Sequence, residues 1–210
     1  MRPGYWPIID PVACAGRRAR LGPTRRKSQL ILRRQTMLSP ELIRRFPIFA
    51  GLTHDNLVTL ADAGEDLTVA AGHSFFQEGE EIHHLYVVVE GAVGITMEVP
   101  ASGATHTVAE QMTRELKTEE TVVSAIGPGE VFGWSALVPP HQAMAGARAL
   151  TESRVLVFDC LALTEAFKED CRFGFLMMQR IAQVIRERLR NLRLESLSRV
   201  LENPVVEPTS

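Results

Sequence analysis

The segment Gly129-Glu-Val-Phe-Gly-Trp-Ser-Ala-Leu137, continuing as Val138-Pro-Pro-His-Gln-Ala-Met-Ala-Gly-Ala-Arg-Ala-Leu-Thr151, decides how the rest of the chain is read. Val131-Phe132 runs into Gly133, then a short Trp134-Ser135-Ala136-Leu137 segment, then Pro139-Pro140. Beyond the prolines, small residues alternate with larger ones as far as Thr151. The pattern predicts strand, tight turn, one helical turn, loop, strand. Gly133 sits where the backbone needs a positive φ, which glycine adopts without steric penalty. A helical turn directly after it aims unpaired backbone N–H groups at one spot, which favours an anion.

Working outward, the chain from Asp66 to Asp159 has a period of two, with glycines between short runs rich in Val, Ile and Phe. The runs are Gly72-x-x-Phe75-Phe76-x-x-Gly79, Leu85-Tyr86-Val87-Val88 and Gly91-x-Val93-x-Ile95, whose glycines suit hairpin turns and bulges. Pro100 to Glu120 reads as a long hairpin loop. Strands resume at Thr121–Ile126, turn at Gly127-Pro128-Gly129, and close at Ala145–Leu150 and Arg154–Phe158. Upstream, Ser39 before Pro40 and Thr53 before a run with Leu57, Leu60 and Ala61 on one face mark two helix starts. Phe46-Pro47-Ile48-Phe49 is an apolar turn between them.

Downstream, Leu161–Glu169 is a short helix and Arg172–Leu201 a long one, with Gly174 its only glycine and no proline. At about 30 residues the long helix extends roughly 45 Å, more than a small roll can cover. Its apolar residues fall at Phe175, Met178, Ile181, Ile185, Leu189 and Leu192, then drift to Leu194, Leu197 and Leu201. Phe175, Met178 and Ile181 are expected to pack on the strands. Ile185, Leu189, Leu192, Leu197 and Leu201 are expected to form a homodimer interface, since soluble monomers rarely leave such a stripe in water. The elements together predict an α+β fold: an antiparallel, jelly-roll-like β-roll with N-terminal helices and a long C-terminal helix.

Phe132, Gly133, Ala136 and Leu137 resemble the phosphate-binding cassette of cyclic-nucleotide-binding domains, the sensor half of catabolite activators and of protein kinase A regulatory subunits. The lead-in Phe46-Pro-x-Phe-x-Gly-Leu-Thr53 and the glycine spacing of the strands are similar to the same family. The likeness spans roughly Met37 to Leu201. It implies a ribose-binding Glu where Trp134 stands, and a phosphate-binding Arg where Ala143 stands. The candidate pocket is Phe132, Gly133, Trp134, Ser135, Ala136, Leu137, His141, Gln142, Ala143 and Met144. No cofactor is expected: a cyclic nucleotide is the ligand the resemblance brings in, and the two substitutions argue against it. The chain ends where the transcription-factor branch would continue into a helix-turn-helix domain, so the expectation is a sensor module without an attached effector.

The net charge of -2 conceals a split. Residues 1–36 carry nine Lys and Arg against Asp10, a balance of +8, leaving 14 basic and 24 acidic residues, -10, in the remainder. The expected organisation is a basic, disordered arm at 1–36, with Met37 as an alternative start, a domain at 37–202 with its dimerisation helix at 172–201, and a tail at 203–210. The arm is the one route to nucleic acid; acidic lipid, the acidic body and an organellar transit function are its other readings. Three cysteines without metal spacing, no secretory signal and no apolar run of membrane-spanning length point to the cytoplasm.

Trp134 either offers a stacking platform or fills the volume a nucleotide would take, and filling is favoured. Arg148, five places beyond Ala143 on an alternating strand, points to the opposite face and reads as solvated or ion-paired. His141 and Gln142 read as surface-loop residues. His73, His83, His84 and Glu90 raise a metal-dependent cupin-like enzyme as an alternative, opposed by the lack of His-x-His and by adjacent histidines facing opposite ways. Ser135 lacks the second glycine of a nucleophile elbow, so no metal site and no catalytic residue are expected. The leading function is a non-enzymatic regulatory or scaffold module acting through an unidentified protein partner. The alternative is a genuine cyclic AMP or cyclic GMP sensor with remodelled contacts.

Overall fold

The computed structural model describes residues 38–100 and 118–202. The basic arm, the tail at 203–210 and most of the expected 100–120 loop lie outside them. The chain opens with helix α1, Pro40–Ile43, capped by Ser39, whose hydroxyl accepts from Leu42 N. A 3-10 turn at Pro47–Phe49 follows, then α2, His54–Asp62. Thr53 and Asn56 close both ends of a capping box at the start of α2, satisfying donors that would otherwise be unpaired.

Among the described residues, eight strands make two four-stranded antiparallel sheets. They are β1 Gly64–Val69, β2 Ser74–Phe76, β3 His84–Glu90, β4 Val93–Pro100, β5 Thr118–Ile126, β6 Val131–Phe132, β7 Gly146–Ala149 and β8 Ser153–Asp159. The sheet orders are β1-β8-β3-β6 and β2-β7-β4-β5, so neighbours in sequence are often on different sheets, as a roll requires. β5 begins at Thr118, earlier than the alternation signalled, because it pairs with β4 out to Pro100. That register places Glu119 and Glu120 opposite Val99 and Glu98, on polar, edge-like strand ends that periodicity cannot distinguish from loop.

Helix α3, Cys160–Glu169, is capped by Asp159, and α4 spans Cys171–Glu202. Asp170 joins three elements. Its carboxylate accepts from Arg172 N and Phe173 N at the start of α4, and Asn56 Nδ2 of α2 donates to it at 3.0 Å. These donors hold its carboxyl below the usual range, the Phe173 N–H contributing most. Phe167 and Phe173 meet edge-on at 4.9 Å and fix the turn between α3 and α4.

The long helix docks on a different face from the expected one. Phe173, Met177 and Ile181 are buried, and Val184 and Ile185 pack partly against the same core. Phe175 is 67% exposed and Met178 36%, so the expectation that these two pack on the roll is corrected. Residues spaced by four from Phe173 share one side of the helix, and that side meets the Pro47–Phe49 turn and α3. Leu189 and Leu192 of the expected interface are half exposed. The side chains of Leu197 and Leu201 lie outside the described ones.

Candidate functional site

The site is built from β6 outward. Phe132 lies opposite Tyr86 and Val131 opposite Val87, which brings the chain to Gly133 against β3. Gly133 adopts φ 75°, as the sequence required. A Cβ there would lie 2.7 Å from His84 O and 2.9 Å from Tyr86 Cδ2, so any side chain would push the strand and turn apart. Trp134–Leu137 then forms a single 3-10 turn, with Ala136 N donating to Gly133 O at 3.0 Å. Ser135, Ala136 and Leu137 are buried, and Trp134 is half-buried against the core.

The returning loop is held to residues 79–82 by backbone bonds. Ile82 N donates to His141 O at 2.9 Å, Ala143 N to Glu80 O at 2.8 Å, and Gly79 N to Ala143 O at 2.8 Å. Gln142 adds a bridge to Glu81. His141 has φ 64°, and its Nδ1 lies 2.9 Å from Ala136 O. A carbonyl oxygen only accepts, so Nδ1 carries the hydrogen. The ring therefore ties the loop to the helical turn.

The candidate pocket residues divide accordingly. Phe132, Gly133, Ser135, Ala136, Leu137 and Ala143 face inward, whereas Gln142 and Met144 are exposed, Met144 at 72%. From Val131 to Ala147 there is no Asp, Glu, Lys or Arg. Arg148 is exposed between buried Ala147 and Ala149 and is ion-paired with Glu120 across the outer side of the sheet. No cation or carboxylate of the cassette's own thus points into the roll.

An aromatic cluster occupies the interior beside the turn. Tyr86 stacks on Phe132 with centroids 4.7 Å apart and planes 11° apart. Phe75 meets both edge-on, at 5.3 and 5.0 Å, and Phe76 lies tilted against both. Burial pushes the Tyr86 hydroxyl pKa up to about 12. In the sequence Phe132 stands out as a pocket residue and Phe75, Phe76 and Tyr86 only as strand formers; the signal for the cluster is four aromatics on three runs that a roll must bring together.

The histidines do not assemble. His73 stands edge-on to Phe75, and burial lowers its pKa. His83 Nε2 is 3.6 Å from Glu81 Oε1. Among the described residues no three of His, Cys, Asp and Glu come together in a way that could hold a metal ion. No described helix is long and apolar enough to cross a membrane.

A second concave region was not anticipated. A groove of about 370 Å³ runs between α4, the Pro47–Phe49 turn and the turn leading into β6. Arg188 lies in it with its side chain 23% exposed, Nη2 3.5 Å from Val131 O and 3.6 Å from Glu130 Oε1. Burial lowers the Arg188 pKa, and Glu130 opposes that shift.

An antiparallel roll with a glycine-anchored helical turn between two strands and helices at both ends defines the class, that of the cyclic-nucleotide-binding roll. Residues 67–170 match the family model described as cyclic nucleotide-binding domain, so the chain carries a domain of that family. It is similar to a CRP-like cAMP-activated global transcriptional regulator of Mycobacterium tuberculosis, 23% identical over 152 residues. That match covers 72% of this chain and 61% of the relative, so the chain spans about three-fifths of the regulator's length. Among solved structures, a candidate cyclic nucleotide-binding protein of Geobacter metallireducens superimposes with a TM-score of 0.59 at 27% identity, covering 73% of this chain and 99% of that one. The catabolite activator protein of Thermus thermophilus gives a TM-score of 0.51 at 23% identity, covering 72% and 63%, a likeness of fold alone.

Proposed function

We propose that this chain is a non-enzymatic regulatory module, in which the roll senses a ligand other than a standard cyclic nucleotide or senses none. It acts through a partner and as a dimer along α4. The family and the regulator among its relatives support the regulatory role. The observation that carries the ligand reading is Ala143, a buried methyl in the hydrophobic core where the resemblance calls for a phosphate-binding Arg. Trp134, half-buried against the same core, takes the place of the ribose-binding Glu.

A cyclic phosphate entering this roll loses a charge-assisted hydrogen bond of about 1.5–3 kcal/mol, and the ribose loses its acceptor as well. At about 1.4 kcal/mol per decade, affinity falls by roughly two decades or more from a site that has both residues. Calorimetric titration with cyclic AMP and cyclic GMP tests this. Absence of heat at micromolar nucleotide is the expected outcome; saturable binding at low micromolar or tighter would show the alternative, a genuine nucleotide sensor with remodelled contacts. The dimer reading rests on Leu189 and Leu192 of α4, exposed to 49% and 52%.

A further inference from the structure

We propose that the groove between α4 and the Pro47–Phe49 turn binds an extended acidic segment of a partner protein, seating carboxylates against Arg180, Arg186 and Arg188. It goes beyond the ligand reading above, because the groove lies outside the roll and the inference holds whatever the roll binds.

The groove carries an excess of cations. Arg180 donates to Ala50 O at 2.9 Å and to Gln183 Oε1 at 3.0 Å, both neutral acceptors. Neither Arg180 nor Arg186 has an ion pair among the described residues. Glu187 also lines the groove, but it is paired with Arg190 at 3.6 Å. The other carboxylate of the groove, Glu130, contacts Arg188 at the loose distance of 3.6 Å through Oε1, while its Oε2 accepts from Gly127 N at 2.7 Å. Arg188 is partly desolvated, so an added carboxylate nearby is attracted more strongly than on an open surface. Half-buried Val184 and the buried Ile48 and Val131 also line the groove.

The spacing of the cations selects the occupant. Arg180 and Arg188 are eight positions apart, about 12 Å along a helix rising ~1.5 Å per residue. Three guanidinium groups distributed over this length match several carboxylates on one strand better than a single small anion. An extended peptide, at roughly 3.3 Å per residue, covers the span in about four residues and can place an apolar side chain between its carboxylates. The Arg180 end of the groove also stays open in an α4 dimer, whereas Arg186, four positions from Ala182 and three from Leu189, borders the outer stripe. Arg180, Val184, Glu187 and Asn191 repeat on one face, whereas Ala182, Ile185 and Leu189 lie two positions out of step, about 200° around the helix.

The test uses the full chain and a short fluorescein-labelled peptide of glutamates around a single leucine, followed by anisotropy. Saturable binding that weakens with added salt is expected, and the glutamine version of the peptide should not bind. Arg186 is exposed, so Arg186→Glu should keep the parent's melting temperature while weakening binding about tenfold or more. Arg186→Lys should retain most of it. Arg180→Gln, checked in the same way for folding, should weaken binding independently. Failure to saturate by about 1 mM, or equal binding by the parent and Arg186→Glu, would overturn the proposal. So would inorganic pyrophosphate binding with the same affinity and the same sensitivity to both variants, since that outcome makes the groove a small-anion site.

Discussion

Replacing Ala143 by Arg restores the residue type that the family resemblance calls for and asks whether the roll has room for it. The methyl of Ala143 is 4% exposed, and the backbone on both its sides is fixed by bonds to Gly79 and Glu80. The loop cannot move the new side chain outward without breaking those bonds. Forcing extra methylenes into a packed interior costs about 1–3 kcal/mol. A guanidinium left there without a partner adds about 3–5 kcal/mol, as an uncompensated buried charge does. The expected loss for Ala143→Arg is therefore on the order of 4–8 kcal/mol, most of the roughly 5–15 kcal/mol available to a domain. With a urea slope of about 2 kcal/mol/M, the midpoint falls by roughly 2 M or more, and at the upper end the variant does not fold. On the proposed reading, in which Trp134 and the turn take the nucleotide's place, added cyclic AMP should not recover the loss. A variant within about 1 kcal/mol of the parent, with a midpoint raised by cyclic AMP, would refute the reasoning: it would show space for both guanidinium and phosphate beside residue 143.

Two further outcomes follow from burial. The Cys160 thiol and the Tyr86 hydroxyl are pushed up by desolvation, from 9.0 and 10.0 respectively to about 12. The unfolded chain releases these protons first, so the stability present below pH 9 is lost as pH climbs towards 12, by up to several kcal/mol at about 1.36 kcal/mol per unit. Melting under reducing conditions should show this decline, and Cys160→Ala should remove its early part; a flat curve from pH 9 to 11 contradicts it. For the dimer, light scattering at micromolar concentration should give about twice 23.3 kDa, and Leu189→Asp should halve it, because burying one Leu contributes about 1.5–3 kcal/mol. A parent already of monomer mass, unchanged by Leu189→Asp, would assign the stripe to a different protein.

Much of the fold was legible because its signals are local. Ser39 and Thr53 cap helices through their own hydroxyls, and Gly133 takes the positive φ that its neighbours leave open to glycine alone. Arg148 could be assigned to the outer face because strand alternation is strict between Ala147 and Ala149. What could not be read was pairwise and non-local. The stack of Tyr86 on Phe132 joins residues far apart in sequence, through a strand pairing that no local pattern encodes. The bond from His141 Nδ1 to Ala136 O likewise depends on a loop path that the sequence does not fix. Arg188 is placed by helix phase, and the phase was the point misread.

That misreading has a physical cause with a consequence for assembly. α4 carries two apolar stripes. Phe173, Met177, Ile181 and Val184 form one, and their burial shows it to be the face laid on the roll. Phe175, Met178, Ala182, Ile185, Leu189 and Leu192 form the other, in alternating steps of three and four. Ile181 falls between the stripes in sequence, so a single list of apolar positions merges two faces into one drifting pattern. Separated, the outer stripe has the strict repeat by which two helices pack knobs into holes. It holds from Phe175 to Leu192, about 26 Å of helix, with Ile185 at its middle also touching the roll. In the proposed dimer such a helix would link a change in the roll to the geometry of the pair, because Ile185 packs against the core and Arg188 reaches β6 within about one turn of Leu189. The expected contact is therefore longer and more regular towards the start of α4 than the apolar drift after Leu192 suggests. Cross-linking of a cysteine introduced at Ala182 should report it, whereas a contact confined to residues beyond Leu192 would leave that cysteine unlinked.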